Sequence, residues 1–431
     1  MPTMIKQPNK AIVGRRILTA NPADKKKLAV FDVEGVLIPK NRLFFEMGKH
    51  LGTAAFLKIL FYGFLYQLGL MPIKKALKGV YGLMKGAETK QLLESLEKIP
   101  LMPNVKETFL ELKQAGYKIA LISSGLPAII VEELAQAVGA DYAVGLHVGT
   151  EDEFLTGQIW GDTIEQNGKL LALNEILKHE GCRIEDCVVV ADDRNNQAIF
   201  LKEAHKVAYN PDFVLRIKAD AVVMGKFRNL LTAIKKEKRP SGWPSSKDTL
   251  REAIHASGIF IPAIALAAGK AWVALGIALV ITVYSASEIT RINGRSMPII
   301  SSITSRAASQ YELSEVALSP LYYAFGILLT LLLFPNPASS AAIAMFTLGD
   351  SSASIIGATI SKRPLPFNRA KTLEGSIGGF LFAFLGGLLF INPALALAGA
   401  AVAMLIEYLP LPINDNLMVP IGTGLALTLL I

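Results

Sequence analysis

Three short clusters in the first half of the chain carry side chains suited to phosphate chemistry. They are Asp32-Val33-Glu34-Gly35, Ser123-Ser124-Gly125 and Asp192-Asp193-Arg194-Asn195-Asn196, with Gly168-Lys169 between the last two. A carboxylate attacks phosphorus, a hydroxyl and an ammonium hold phosphate oxygens, and a distal carboxylate anchors a divalent cation. A second set lies in residues 251–431, where charge is sparse: Arg251 and His255, Glu288 and Arg291, Asp350, Lys362, Lys371, Glu374, Gly375, Ser376, Glu407, Asp415 and Asn416. An ionisable side chain within an apolar helix costs about 2.5–3.5 kcal/mol on insertion scales, so each of these is a functional candidate.

The first set needs strands to hold it. Short β-branched or apolar runs at 28–31, 119–122 and 188–191 alternate with helical, charged segments, and each ends directly at one of the three clusters. In an open parallel sheet, ligands sit at the carboxyl ends of the strands, so these endings converge on one site. The stretch 51–71 is apolar, with Lys58 its only charge. Although long enough to cross a bilayer, it would then separate Asp32 from Ser123. It is read instead as part of a helical cap, lying on the membrane surface.

The second set needs a membrane bundle. Roughly seven apolar stretches centre near Ile261, Ala278, Leu328, Met345, Leu385, Gly399 and Leu425. Lys and Arg crowd the linker and the segments 291–306 and 362–371, whereas the opposite loops hold only Lys270. The positive-inside rule puts the dense loops, the N-terminal domain and Asp415 on the cytosolic side of an integral membrane protein. Arg251 and His255, four apart, share a helix face, as do Glu288 and Arg291, three apart. Gly349, Ala353 and Gly357 form a small-residue stripe beside Asp350, which lets a neighbouring helix approach closely. Lys371 stands just before a span opening with Glu374-Gly375-Ser376, and free N–H groups at such a helix start suit a phosphate.

Residues 28–220 resemble the haloacid dehalogenase superfamily, in particular its phosphoserine-phosphatase-like branch, through the order and spacing of these clusters. The resemblance implies that Asp32 is the nucleophile, Glu34 the acid and base, and Ser123 and Lys169 the phosphate ligands. It also implies a magnesium site at Asp32, Asp192 and Asn196. Two residues depart from the pattern: Glu34 replaces the usual second Asp of the first motif, and Asn196 the Asp at the end of the last. Asp193 and Arg194 are read as a surface turn.

Residues 251–431 resemble the family of dolichol kinase, phytol kinase and CTP-dependent diacylglycerol kinase. The elements that carry the likeness are Arg251 to His255, Glu288 with Arg291, Gly349-Asp350-Ser351-Ser352-Ala353, Lys362, Lys371 to Ser376, and Glu407 through Asn416. This resemblance implies phosphoryl transfer from CTP to a membrane lipid alcohol. Asp350 and Asp415 would serve magnesium or hydroxyl activation, with Lys362, Lys371 and Ser376 on the nucleotide phosphates.

The expected architecture is an α/β doubly wound parallel-sheet domain with a helical cap, followed by an all-α polytopic membrane domain. Residues 1–26 form an N-terminal extension, 27–225 the phosphatase-like domain with its cap at about 40–100, 226–250 a basic linker, and 251–431 the membrane domain. Basic and acidic side chains cancel in 252–431, so the formal charge of +8 belongs to the N-terminal part and its linker. Such an excess suits an anionic membrane surface or phosphate-bearing substrates, not a nucleic-acid groove. Cys182 and Cys187, five apart and with no further Cys, make neither a zinc site nor a disulfide framework. The first 27 residues lack the apolar core of a secretory signal. There is no Walker motif and no protein-kinase signature set. Three rivals stay open: an inactive phosphatase relic used for docking, a CTP-using cytidylyltransferase, and a transporter or scaffold built around Asp350.

Overall fold

The computed structural model describes residues 27–431 except 41, 68–69, 238–241, 293, 309, 361–362 and 412. The N-terminal extension and Lys362 therefore lie outside the described residues. The chain divides into two compact units, one holding 27–211, 218–221 and 227–235, the other 212–217, 222–226 and everything from 236 onward.

The first unit, together with residues 212–226 that complete its sheet, is an α/β fold. Its strands are β1 (Lys27–Phe31), β2 (Tyr117–Pro127), β3 (Tyr142–Glu151), β4 (Phe154–Trp160), β5 (Cys187–Ala191), β6 (His205–Tyr209) and β7 (Ala221–Val223), in the sheet order β4-β3-β2-β1-β5-β6-β7. β1 pairs in parallel with both β2 and β5, while β3 and β4 pair antiparallel. The central strands are fully apolar: Leu28 to Phe31 and Val189 to Ala191 are buried without exposure, as a sheet covered on both faces requires. Strand order reverses at β1, between β2 and β5, which opens a crevice at the carboxyl ends of these three strands.

Among the described residues, four helices form the cap: α1 (Arg42–His50), α2 (Thr53–Gln67), α3 (Ile73–Leu83) and α4 (Thr89–Glu97). The remaining helices of this fold are α5 (Val105–Gln114), α6 (Ala128–Val138), α7 (Gly168–Glu180), α8 (Phe213–Lys218) and α9 (Asn229–Ile234). The β3–β4 hairpin is an element that hydrophobic patterning does not reveal. Its tip residues Asp152 and Glu153 adopt positive φ of 47° and 69°. The arm fastens the cap: Gly86 and Thr89 donate to the carbonyls of Leu155 and Glu153 at 2.8 Å each.

The second unit is helical: α10 (Ser246–Ser257), α11 (Phe260–Ala268), α12 (Lys270–Ile292), α13 (Ile300–Ala307), α14 (Gln310–Ser314), α15 (Ser319–Leu333), α16 (Ala338–Ile360), α17 (Leu373–Leu388), α18 (Pro393–Tyr408) and α19 (Asp415–Leu430). Among the described residues, three helical stretches are long and apolar enough to cross a membrane: Ser246–Ala268, which joins α10 and α11, Lys270–Ile292 and Ala338–Ile360. The other four apolar helices at the expected span positions, α15 and α17 to α19, have 15 or 16 residues. At 1.5 Å per residue they reach about 24 Å, short of the roughly 30 Å hydrocarbon core. Seven full crossings are therefore not established by helix length.

The small-residue stripe of α16 meets a matching stripe on α17. A Cβ at Gly375 would stand 2.7 Å from the Ala353 carbonyl oxygen, and one at Gly379 would stand 2.8 Å from the Ala353 Cβ. Small residues thus bring the two backbones together and set Asp350 beside the start of α17.

Candidate active site

Asp32 is the first residue beyond β1, and its N–H donates to the Val190 carbonyl at 2.9 Å, which ties it to the end of β5. Its buried carboxylate is held from three directions. Oδ1 accepts the Val33 N–H at 2.8 Å and pairs with Lys169 Nζ at 2.9 Å, while Oδ2 accepts from Asn196 Nδ2. The Lys169 ammonium also donates to Asn196 Oδ1 at 2.6 Å. Asn196, expected among the metal ligands, therefore has both amide atoms occupied in orienting Asp32 and Lys169. An amide does this where a carboxylate could not, since one of its atoms must donate to Asp32.

Ser123 is wholly buried, and its Oγ accepts the N–H groups of Gly125 and Leu126 at 3.1 and 3.0 Å. That shapes the last residues of β2, whereas its neighbour Ser124 lines the cavity over Asp32 and donates to the Thr163 carbonyl at 2.6 Å. Burial and the adjoining Asp32 carboxylate push the Glu34 carboxyl up to about 7. A group in that range both gives and takes a proton near neutrality. Glu34 depends on Gly125, because a Cβ there would lie 2.0 Å from Glu34 Oε2. Gly125→Ala should accordingly displace that flexible carboxylate and lower turnover about tenfold to a hundredfold, with the melting temperature nearly unchanged. Unaltered turnover in a steady-state assay would place Glu34 outside the reaction.

Asp193, read from sequence as part of a surface turn, is buried. Lys40 bridges Asp192 and Asp193, 2.7 Å from an oxygen of each. Burial works against the Lys40 charge, but the two carboxylates outweigh it and hold the ammonium well above its ordinary value. Arg194 also has a role, its guanidinium lying 5.9 Å over the Tyr66 ring of the cap. Sequence offered no sign of Lys40, since a lysine eight residues after Asp32 looks like any loop lysine.

Asp32, Asp192 and Asp193 each present an oxygen within 4.8 Å of the others. Asp192 Oδ1 is buried with no hydrogen-bond partner among the described residues. Three hard oxygen donors with one orphaned acceptor fit a small divalent cation such as magnesium.

The family model of haloacid dehalogenase-like hydrolases matches residues 29–195. Residues 29–195 are thus haloacid dehalogenase-like, and this part of the chain is similar to phosphoserine phosphatases. Among curated relatives, the phosphoserine phosphatase of Methanocaldococcus jannaschii is 29% identical over 212 residues, 49% of this chain and 99% of that protein. The Archaeoglobus fulgidus phosphoserine phosphatase is 30% identical over 199 residues, covering 46% of this chain and 57% of that protein. A solved structure described as a phospho-aspartyl intermediate analogue of phosphoserine phosphatase is 28% identical. It matches 50% of this chain and all of its own, with a TM-score of 0.46.

Outside the haloacid dehalogenase-like domain, the helical unit gathers a second polar cluster from five elements. Lys371 Nζ, just before α17, lies 2.6 Å from Glu407 of α18, 3.8 Å from Asp415 of α19 and 3.9 Å from Asp350 of α16. His255 Nδ1 of α10 stands 3.3 Å from Asp350 Oδ2. Lys371, expected on a nucleotide phosphate, is here the counter-ion of three acids. Sequence reasoning missed Glu252, which groups with His255 and Asp350, and Tyr323, which stacks on the His255 ring at 4.3 Å. The i, i+3 spacing of Glu252 and His255 was the available signal. Arg251 pairs with Glu252 at 3.0 Å.

Other expected positions also make scaffold contacts. Gly375 packs against α16, and its N–H is capped by Thr372 Oγ1 at 3.2 Å, while the Ser376 N–H returns to the Thr372 carbonyl at 3.0 Å. The start of α17 is thus partly satisfied by its own cap. Glu374 accepts from the Arg363 N–H at 3.3 Å, and the Asn416 N–H donates to Asn414 Oδ1 at 3.0 Å. Glu288 and Arg291 form a two-point pair that fastens the following segment: Ala317 N–H donates to Glu288 at 2.9 Å and Arg291 to the Leu313 carbonyl at 2.7 Å.

Proposed function

We propose that the haloacid dehalogenase-like domain is a magnesium-dependent phosphomonoesterase working through a phosphorylated Asp32. The observation that carries this reading is the seating of the Asp32 carboxylate at the strand-order reversal, with Lys169 and Asn196 fixing its two oxygens and Glu34 beside it. Asp32 attacks phosphorus, the ester oxygen leaves with the proton of Glu34, and the phosphoryl group rests on the aspartate. Glu34 then takes a proton from water as the water attacks phosphorus, which releases phosphate and restores Asp32. Magnesium, held by Asp32, Asp192 and Asp193, would neutralise charge on the phosphoryl oxygens. Lys169 supplies a second positive charge there, and Lys40 balances the Asp192–Asp193 pair. Chelation with EDTA should reduce phosphate release to background, and excess magnesium should restore it. Undiminished release in EDTA would contradict the metal assignment.

For the helical unit we propose phosphoryl transfer from CTP to a membrane lipid alcohol. Convergence of His255, Asp350, Lys371, Glu407 and Asp415 from separate elements supports it. So do the buried Glu252 Oε2 and Glu407 Oε2, which lack hydrogen-bond partners among the described residues. Polar groups of this kind are costly within a bundle unless a cation or substrate completes them. Membranes given CTP, magnesium and an isoprenoid alcohol should yield CDP and the lipid phosphate. Release of pyrophosphate instead would favour the cytidylyltransferase reading.

A further inference from the structure

We infer that the haloacid dehalogenase-like domain takes a phosphomonoester with an apolar aliphatic body, not a phosphoamino acid. This deepens the phosphatase reading and rests on it for turnover, although not for binding. Above Asp32 lies a cavity of about 260 Å³. Its charged lining residues, Asp32, Glu34, Lys40, Lys169 and Asp193, all belong to the reaction centre at the end of the sheet. The cap supplies the rest of the wall, chiefly Phe44, Ile59, Leu60, Ile73, Leu77 and Val80. Among the described residues, the polar group that the cap adds to this wall is the Tyr66 hydroxyl, which is buried and without a hydrogen-bond partner.

A phosphoamino acid brings a carboxylate and an ammonium besides its phosphate. Buried without opposite charges, such groups are strongly disfavoured, and the described cap wall has no charged side chain to meet them. An aliphatic chain gains from each methylene buried against the same wall. The outer side of α2 is apolar as well, with Leu57 and Phe61 more than half exposed, so the cap is suited to lipid-like surroundings on both of its sides.

The test is calorimetric titration of the full chain, in detergent with magnesium, using methylphosphonate, hexylphosphonate and the phosphonate analogue of phosphoserine. Hexylphosphonate should bind about 30-fold tighter than methylphosphonate, a part of the full transfer free energy of its added methylenes. Gly63 lines the cavity, and a Cβ there meets no atom within 4 Å, so Gly63→Leu fits the helix while filling the apolar space. It should cut the hexyl advantage to less than about threefold. Equal binding of the two alkyl phosphonates, or tightest binding of the amino-acid phosphonate, would overturn the inference. A full hexyl advantage in Gly63→Leu would also overturn it, by placing the chain elsewhere. Chain-length preference in binding without hydrolysis of hexyl phosphate would leave the inference standing and remove the phosphatase reading.

Discussion

Asp32→Asn should lower phosphate release by about 10⁴-fold or more, the scale on which loss of a covalent nucleophile acts. The amide keeps the size of the carboxylate but cannot attack phosphorus, so the loss reports chemistry and not packing. Lys169, almost fully buried, loses its ion-pair partner at 2.9 Å while keeping Asn196 at 2.6 Å. A fall in melting temperature should therefore accompany the loss, because breaking a buried pair leaves a charge uncompensated. Phosphate release from the full chain, beside a thermal melt, separates the two effects. Activity within tenfold of the parent would show that Asp32 is not the nucleophile, and the docking-relic reading would gain.

Asp350→Asn should lower CTP-dependent phosphorylation of a lipid alcohol by about a hundredfold or more, the scale of a single electrostatic group in a water-poor site. The substitution preserves shape. Lys371 loses the Asp350 charge at 3.9 Å but keeps Glu407 at 2.6 Å, so the cluster retains its shortest pair, while His255 loses its 3.3 Å charged partner. Product formation measured in reconstituted membranes, with the variant at equal level and correctly inserted, gives the answer. A full rate would require the site to be sought elsewhere, and equal use of ATP and CTP would overturn the nucleotide assignment alone.

The strands that lead into Asp32, Ser123 and Asp192 were legible because apolar runs buried on both faces leave a continuous signal that stops abruptly at polar residues, although β2 itself runs on past Ser123 to Pro127. The α16 stripe beside Asp350 was legible for a similar reason, since residues that let helices approach closely must be small every fourth position. Lys40 and Asp193 were not legible. Their roles arise from a contact across more than 150 positions of sequence, and neither residue lies in a periodic element. The β3–β4 hairpin was hidden because its tip is Asp152-Glu153 and not a glycine turn. Gly375 and Lys371 carry structural roles that their sequence pattern does not announce. A helix start with glycine and a nearby lysine looks like a phosphate cradle, yet here the glycine seats α17 on α16 and the lysine answers three acids.

The most direct measurement of the central claim is chemical trapping of the phosphorylated enzyme. The full chain, mixed with a ³²P-labelled phosphomonoester and magnesium and quenched in acid, should carry a hydroxylamine-labile label on the peptide containing Asp32. Asp32→Asn should carry none. Turnover without a hydroxylamine-labile label, or the same label in Asp32→Asn, would contradict the account.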